Sequence, residues 1–233
     1  MVRVVSLVPS VTETLLAWGV PVRACTRFCE QPQLTHVGGT KDPDIAAIVA
    51  LRPDVVVVDR EENRREDAEA LTDAGVRLHV THVTNVDDVA PMLHLLAEAI
   101  GAPPPPVPPL GSPVAPWTSA FVPIWKRPWM TINARTYGSS LLLQLGVRNV
   151  FADHPVAYPA VEIGDVCSVE PQLVLLPSEP YPFAERHRAE VTRAFPGAAV
   201  VFVDGQDLFW WGARTAGALD RLGGVLGVVT AEP

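Results

Sequence analysis

The chain has 233 residues, 48% apolar and 19% charged, with a formal net charge of −8. That is a globular balance with ample core; the acidity, with no basic stripe against it, excludes a nucleic-acid partner, and no apolar run approaches the ~18 residues of a membrane span. The N-terminus, MVRVVSLVPS, has one Arg and a short apolar run ended by Pro9, without a cleavage site. It does not read as a secretory signal. The expected location is therefore the cytosol, or the periplasm or cell surface if a leader has been removed.

Val2–Val8 reads as a buried strand. Ser10-x-x-Glu13 predicts a capping box opening a helix that Gly19 ends. Val22–Thr26 is a short strand followed by the polar loop RFCEQPQ. Asp42 and Pro43 predict the N-cap and first position of a helix through Leu51, broken at Arg52-Pro53. Val55–Val58 is an apolar run of the kind buried on both faces. A helix over Glu62–Ala74, a strand over Val76–Val80 and a helix from Thr84 to Ile100 follow.

Gly101–Pro116 then reads GAPPPPVPPLGSPVAP, which rules out helix interior and central strand. It predicts an extended polyproline II connection reaching ~3.1 Å per residue. The expected organisation is a first lobe over 1–101, a linker over 102–117 and a second lobe over 118–233.

The second half repeats the pattern. Strands are expected at Ser119–Ile124, Leu173–Leu176 and Ala199–Val203, and helices at Tyr137–Leu145, Asp165–Val169, Phe183–Ala194 and Ala213–Leu226. Ile48, Leu51, Pro53, Val55, Val57 and Glu61 recur as Val166, Val169, Pro171, Leu173, Leu175 and Glu179 at a constant spacing of 118 residues. This suggests two similar α/β lobes, each with a parallel sheet whose strand ends aim at a shared ligand cleft.

No phosphate loop, G-x-S-x-G, H-E-x-x-H or dinucleotide fingerprint occurs. No nucleophile, base and orienter assemble, so no catalytic residue is assigned and the chain is read as a non-enzyme. His79-x-x-His82 spans a strand end, where alternate side chains diverge. Cys25-x-x-x-Cys29 lacks a second pair, so no metal site is expected. An odd count of three cysteines, with Cys167, suggests reduced thiols, although the short spacing also allows Cys25 and Cys29 to be neighbours. Aromatic residues instead gather in loops beyond strand ends: Phe28, Trp125, Trp129, Tyr137, Tyr181, Phe183, Trp210 and Trp211. They lie near Arg27, Lys126, Arg135, Arg186 and Arg214, and Ser10 adds a helix N-terminus. Aromatic faces with a few cations suit a large planar ligand bearing acidic groups.

The segments RVVSLVPSVTETLLAWG, TRFCEQP and HVGGTKDPDIAAIVALRPDVVVV resemble the helical-backbone class of ABC-transporter solute receptors, above all those for cobalamin and siderophores. The resemblance covers nearly the whole chain, with PIWKRPWM, NARTY and LPSEPYPF similar to a subgroup of helical-backbone metal receptors. It implies two Rossmann-like lobes joined by a helix, here with the proline-rich linker, and a bound metal chelate that is cobalamin-like, haem-like or a siderophore. No further cofactor is required. The implied ligand contacts are Pro9, Ser10, Arg27, Phe28, Thr40, Lys41, Trp125, Trp129, Arg135, Tyr137, Glu179, Tyr181, Phe183, Trp210, Trp211 and Arg214. Cys29 is a weak candidate metal ligand.

Receptors of this class dock on a permease through one glutamate per lobe. The resemblance sets Ala46 and Gly164 at those positions, which argues for a binding protein that does not dock in the usual way. Two alternatives stand beside it. One is a cytosolic enzyme or chaperone acting on a tetrapyrrole, with Glu13, Glu30 or Glu179 as acid/base and Cys29 as thiol or axial ligand. The other is an ordinary exported receptor.

Overall fold

The computed structural model describes residues 2–103 and 113–231. The polyproline II expectation for the heart of the proline run lies outside the described residues. The chain forms two compact units. One holds residues 1–83, 87–107 and 211–213; the other holds 84–86, 108–210 and 214–233.

The first unit runs β1 (Val4–Ser6), α1 (Pro9–Ala17), β2 (Val22–Cys25), β3 (Thr35–His36), α2 (Ile45–Ala50), β4 (Val55–Asp59), α3 (Arg65–Asp73), β5 (Leu78–Thr81) and α4 (Val89–Ile100). Its strands form one parallel sheet in the order β3-β2-β1-β4-β5. Every residue of β4 is buried, its four valines as an apolar run in a parallel sheet requires and Asp59 with them at the strand end. Val5, Leu7, Ala24, Val56 and Val58 share one core with Ile48 and Leu71. Val4, Val55 and Val57, alternating with them, are buried on the opposite face. Each such valine contributes about 1.5–3 kcal/mol. Gly101, at φ 65°, caps α4 in the left-handed conformation, so this helix ends where the sequence places its end.

The second unit runs β6 (Thr118–Phe121), β7 (Trp129–Met130), α5 (Tyr137–Gln144), β8 (Val147–Asn149), β9 (Ala160–Val161), α6 (Ile163–Ser168), β10 (Leu173–Pro177), α7 (Arg188–Ala194), β11 (Ala199–Val203), α8 (Gly205–Phe209) and α9 (Thr215–Ala231). Its main sheet is parallel in the order β11-β10-β6-β8, with β7 and β9 as a separate antiparallel pair. Phe121, Val174 and Leu176 pack on Val166, Val191 and Phe195. The last residues of the expected linker are bound into this unit. Val114 and Trp117 donate backbone N–H groups to Gln144 and Gly146, and the Trp117 indole donates to the Leu145 carbonyl at 2.9 Å.

The internal repeat is complete at the level of elements. α2 and α6, and β4 and β10, begin and end 118 residues apart. Asp44 and Glu162 occupy the matching N-caps. Arg52 and Glu170, each before a proline, take the matching left-handed turn at φ 49° and 43°. Registers match too: Val4 lies beside Val55, and Ala120 beside Leu173.

Several boundaries differ from expectation. The Ser10 capping box does not form; α1 opens one residue earlier, with Val8 as an N-cap lacking a side-chain bond and Pro9 at the first position, where proline is pre-organised. Asp44, not Asp42, caps α2, accepting from Ala47 N–H at 2.9 Å. α3 starts at Arg65 because Asp59 and Asn63 hold the preceding residues in a turn. The helix expected from Thr84 begins at Val89, after a 3-10 turn. The helix expected from Phe183 is a 3-10 turn at Glu185–His187 followed by α7, so Phe183 is not helical. The two-residue strands β3, β7 and β9 are too short to leave a periodic signal.

Candidate functional site

Each sheet has a topological switch point, between β1 and β4 in the first unit and between β6 and β10 in the second. Beyond the carboxyl ends of those strands is where a parallel α/β sheet binds ligands.

In the first unit, β1 leads through Leu7 and Val8 into Pro9, and β4 leads into a polar knot. Asp59 Oδ1 accepts from the N–H groups of Glu61 and Glu62, and Asp59 Oδ2 accepts from Thr81 Oγ1 at 2.7 Å. Asn63 Oδ1 accepts from Asp59 N–H at 2.7 Å, while its Nδ2 donates to the carbonyls of Thr40 (2.9 Å) and Leu7 (3.3 Å). One buried amide therefore ties together the loops after β1, β3 and β4. Lys41 Nζ donates to the Glu61 carbonyl at 2.7 Å, so Thr40 and Lys41 are held beside the switch point.

Arg27 and Phe28 follow β2. Arg27 Nη2 donates to both Asp42 carboxylate oxygens, at 3.0 and 3.1 Å, and the guanidinium lies 4.7 Å above the Phe28 ring, which is 50% exposed. A Cβ at Gly39 would meet the Asp42 carboxylate and the Arg27 guanidinium, so a larger residue there would push this ion pair aside. Ser10 is buried at the second position of α1 and Cys29 is enclosed by Thr12 and Thr26, so neither side chain is presented outward. Trp211, though near the C-terminus, clusters with this unit and is buried. The adjoining Ala213 N–H donates to Thr14 Oγ1 at 3.1 Å.

In the second unit, PIWKRPW and SEPYPF meet as a ladder of rings. Trp125, 45% exposed, stands edge-on to Tyr181 at 5.5 Å. Tyr181 is 4.7 Å from Phe183, which stacks on Trp129 at 6.1 Å. Trp129 continues to Phe121 and Phe195 in the core. Trp125 and Tyr181 are thus the outer rungs, and Trp129 and Phe183 are packing. Lys126 is held by Glu190 and lies 5.9 Å from the Trp129 ring. Glu179 sits beyond β10 against Gly205, where a Cβ would strike the Glu179 backbone.

Arg135 is exposed, its backbone N–H donating to Asn133 Oδ1 at 2.8 Å and its guanidinium to the Pro155 carbonyl. Tyr137 is buried with its hydroxyl 3.0 Å from Thr215 Oγ1, and burial pushes its phenol pKa up. Arg214 lies 5.5 Å from the Trp210 ring and donates to Asp207 (2.8 Å) and Gln206 (3.1 Å). Asp207, buried, also accepts from Arg221 at 2.6 and 2.7 Å. Bonds from Arg221 and then Arg214 outweigh burial and hold its carboxyl below the usual range.

Sequence reasoning missed Asp59, Asn63, Asn133, Asp207 and Arg221. Asp59 carried a signal, an acidic residue closing a buried strand. The others sit among ordinary polar residues whose partners are distant in sequence. Among the described residues no cluster of three or more His, Cys, Asp or Glu could hold a metal, and no helix is long and apolar enough to cross a membrane.

No family model matches the chain. It is 26% identical over 197 residues to the vitamin B12-binding protein of Yersinia pestis (strain Pestoides F), covering 75% of this chain and 69% of that one. The periplasmic vitamin B12 binding protein BtuF of Vibrio cholerae superposes with a TM-score of 0.80 at 21% identity, over 99% of this chain and 98% of that one. The periplasmic heme-binding protein BhuT, in complex with two hemes, superposes with a TM-score of 0.79 at 19% identity, over 99% of both chains. This chain has the fold of these binding proteins. The resemblance carried by RVVSLVPS and ALRPDVVVV is met by relatives of the same kind, named for binding rather than for catalysis. The cytosolic placement expected from the N-terminus finds no counterpart among these neighbours, which are named as periplasmic.

Proposed function

We propose that this chain is a solute-binding protein for a metal chelate of the corrinoid or haem class, working outside the cytosol as a transport receptor. The observation that carries the reading is the placement of aromatic faces and cations in loops beyond the carboxyl ends of strands in each unit. Phe28, Arg27 and Lys41 stand in one unit, and Trp125, Tyr181 and Arg135 in the other. The sequence relatives named for vitamin B12 support a corrinoid. Haem iron draws an axial ligand from the protein, whereas a corrinoid of the cobalamin type carries its own. Of the candidate residues, Tyr137 is tied to Thr215 and Cys29 is enclosed, which leaves Tyr181 as the candidate phenol for iron.

The chelate is cargo, and this reading requires no resident cofactor. A solved neighbour named as an ABC transporter substrate-binding protein, from Listeria monocytogenes EGD-e, favours ordinary receptor function over an uncoupled binder; it superposes with a TM-score of 0.76 at 14% identity, over 96% of this chain and 98% of that one. Ala46 and Gly164 are both exposed at the repeat-equivalent places on α2 and α6. Docking therefore draws on other groups, for which the adjacent exposed Asp44 and Asp165 are the acidic candidates.

The test is titration of purified protein with hydroxocobalamin and, separately, with hemin, followed by visible spectroscopy and calorimetry. Saturable binding of hydroxocobalamin is the expected result. Binding of hemin alone would move the ligand to haem, and failure of both would end the reading.

A further inference from the structure

His187 ends the 3-10 turn that leads into α7, and it is buried, at 7% exposure. Its ring centre lies 5.6 Å from that of Tyr181 and 5.5 Å from that of Phe183, which it meets edge-on. Tyr181 and Phe183 are themselves 4.7 Å apart, so the three rings close a triangle on the inner side of the outermost rung. Tyr181 stands between two prolines in SEPYPF, outside any helix or strand. The angle of its ring is therefore set by what packs on it: Trp125 on one side, Phe183 and His187 on the other.

Hydrogen bonds tie the triangle to the backbone. Phe183 N–H donates to the Tyr181 carbonyl at 2.7 Å, and His187 N–H donates to the Ala184 carbonyl at 2.8 Å. The Arg186 guanidinium donates to the Pro182 carbonyl at 3.2 Å. The return bond runs through the imidazole: Ala184 N–H donates to His187 Nδ1 at 3.0 Å. An amide N–H can only donate, so Nδ1 offers its lone pair and the ring proton sits on Nε2. An imidazolium would set one N–H against another. With Nδ1 occupied and Nε2 protonated, the ring has no lone pair to give a metal and works as a part of the turn.

We propose that His187 is a positioning residue of the ligand site, its neutral imidazole fixing the ring of Tyr181 through the bond from Ala184 N–H to Nδ1. The inference rests on the proposed function, in which Tyr181 meets the ligand, and adds a residue that acts on the ligand only through Tyr181. Histidine suits the place because it joins a flat face to an acceptor two bonds from Cβ. An apolar side chain of the same size would leave a part-buried N–H unpaired. Asparagine sets its amide oxygen where Nδ1 stands, whereas glutamine sets its oxygen where Nε2 stands and misses Ala184.

The test compares His187→Asn with His187→Gln in the full chain, by calorimetric titration with hydroxocobalamin and by the NMR shifts of the Tyr181 ring without ligand. His187→Gln is expected to weaken binding about tenfold, the loss of one well-placed aromatic contact. His187→Asn is expected to recover that affinity, with Tyr181 resonances close to those of the parent chain. In a Tyr181→Ala background the change to glutamine should cost no further affinity, because two residues that act as one unit are not additive. Equal affinity and equal Tyr181 shifts in the two variants would overturn the proposal. So would a glutamine loss that persists undiminished in the Tyr181→Ala background. If the parent chain binds neither hydroxocobalamin nor hemin, the ligand reading fails by itself, and the Tyr181 shifts of the ligand-free variants still decide whether His187 holds that ring.

Discussion

At φ 118°, Gly212 holds a backbone that other residues rarely adopt, and a Cβ there would run into Thr14 Oγ1. That hydroxyl accepts from Ala213 N–H and donates to the Ser10 carbonyl at 2.8 Å, so it cannot move aside without losing both bonds. Gly212→Ala is expected to lower stability by more than the ~1–3 kcal/mol of a strained backbone alone. Urea unfolding is the check, and an unmoved midpoint would contradict the steric account. Asp207 makes a second case. Removing its charge leaves Arg214 and Arg221 without their shared carboxylate, and because the Arg221 side chain is more than half exposed, Asp207→Asn should cost about 1–3 kcal/mol. Its folded pKa is depressed, so its contribution is fully present above the unfolded value of about 3.9 and is lost as pH falls through the lower folded value. Stability measured against pH should therefore fall less steeply below about pH 4 in Asp207→Asn than in the parent chain. The chemical type of the rim was legible in the sequence, since Phe28, Trp125 and Tyr181 stood out as loop aromatics. Exposure was not, because Trp129, Tyr137, Phe183 and Trp211 carry the same signature yet are largely packed inside.

Among the elements, the helix–proline–strand unit was the most legible. A four-valine run admits burial on both faces and little else, and a residue before proline must leave the helix. The 118-residue spacing then fixed the second copy, down to the left-handed turns at Arg52 and Glu170. Helix starts were less legible. Ser10 and Asp42 are good caps by type, yet Val8 and Asp44 hold the cap positions, since capping is chosen by where the strand delivers the chain. The knot beyond β4 could not be read at all, because Asn63 bonds to Leu7 and Thr40, far away in sequence. Asn63→Ala would strand the buried Asp59 N–H and two carbonyls, at about 1–3 kcal/mol for each group left unsatisfied. Its unfolding midpoint should drop, and its affinity for hydroxocobalamin should drop further, because Thr40 and Lys41 lose their tether. Full affinity in a folded Asn63→Ala chain would remove the knot from the site.

For the whole molecule, the proposed function makes a demand on each unit separately. Aromatic and cationic residues stand beyond strand ends in both units, and each set is expected to contribute to binding. Phe28→Ala in the first unit and Trp125→Ala in the second should each weaken hydroxocobalamin binding by about tenfold or more, the loss of one well-placed aromatic contact at about 1–2 kcal/mol. Both rings are about half exposed, so neither variant should shift thermal unfolding of the ligand-free chain appreciably. Phe183→Ala is the control on the inner side of the same ladder, and should cost about 3–5 kcal/mol of folding stability because it removes core. Ligand at a hundredfold excess over Kd should add about 2.7 kcal/mol to the stability of the parent chain. That increment should shrink in Phe28→Ala and in Trp125→Ala alike. Calorimetric titration of the two variants separates the possibilities: if only one of them loses affinity, the ligand belongs to one unit, and the second copy of the repeat serves the fold rather than the site.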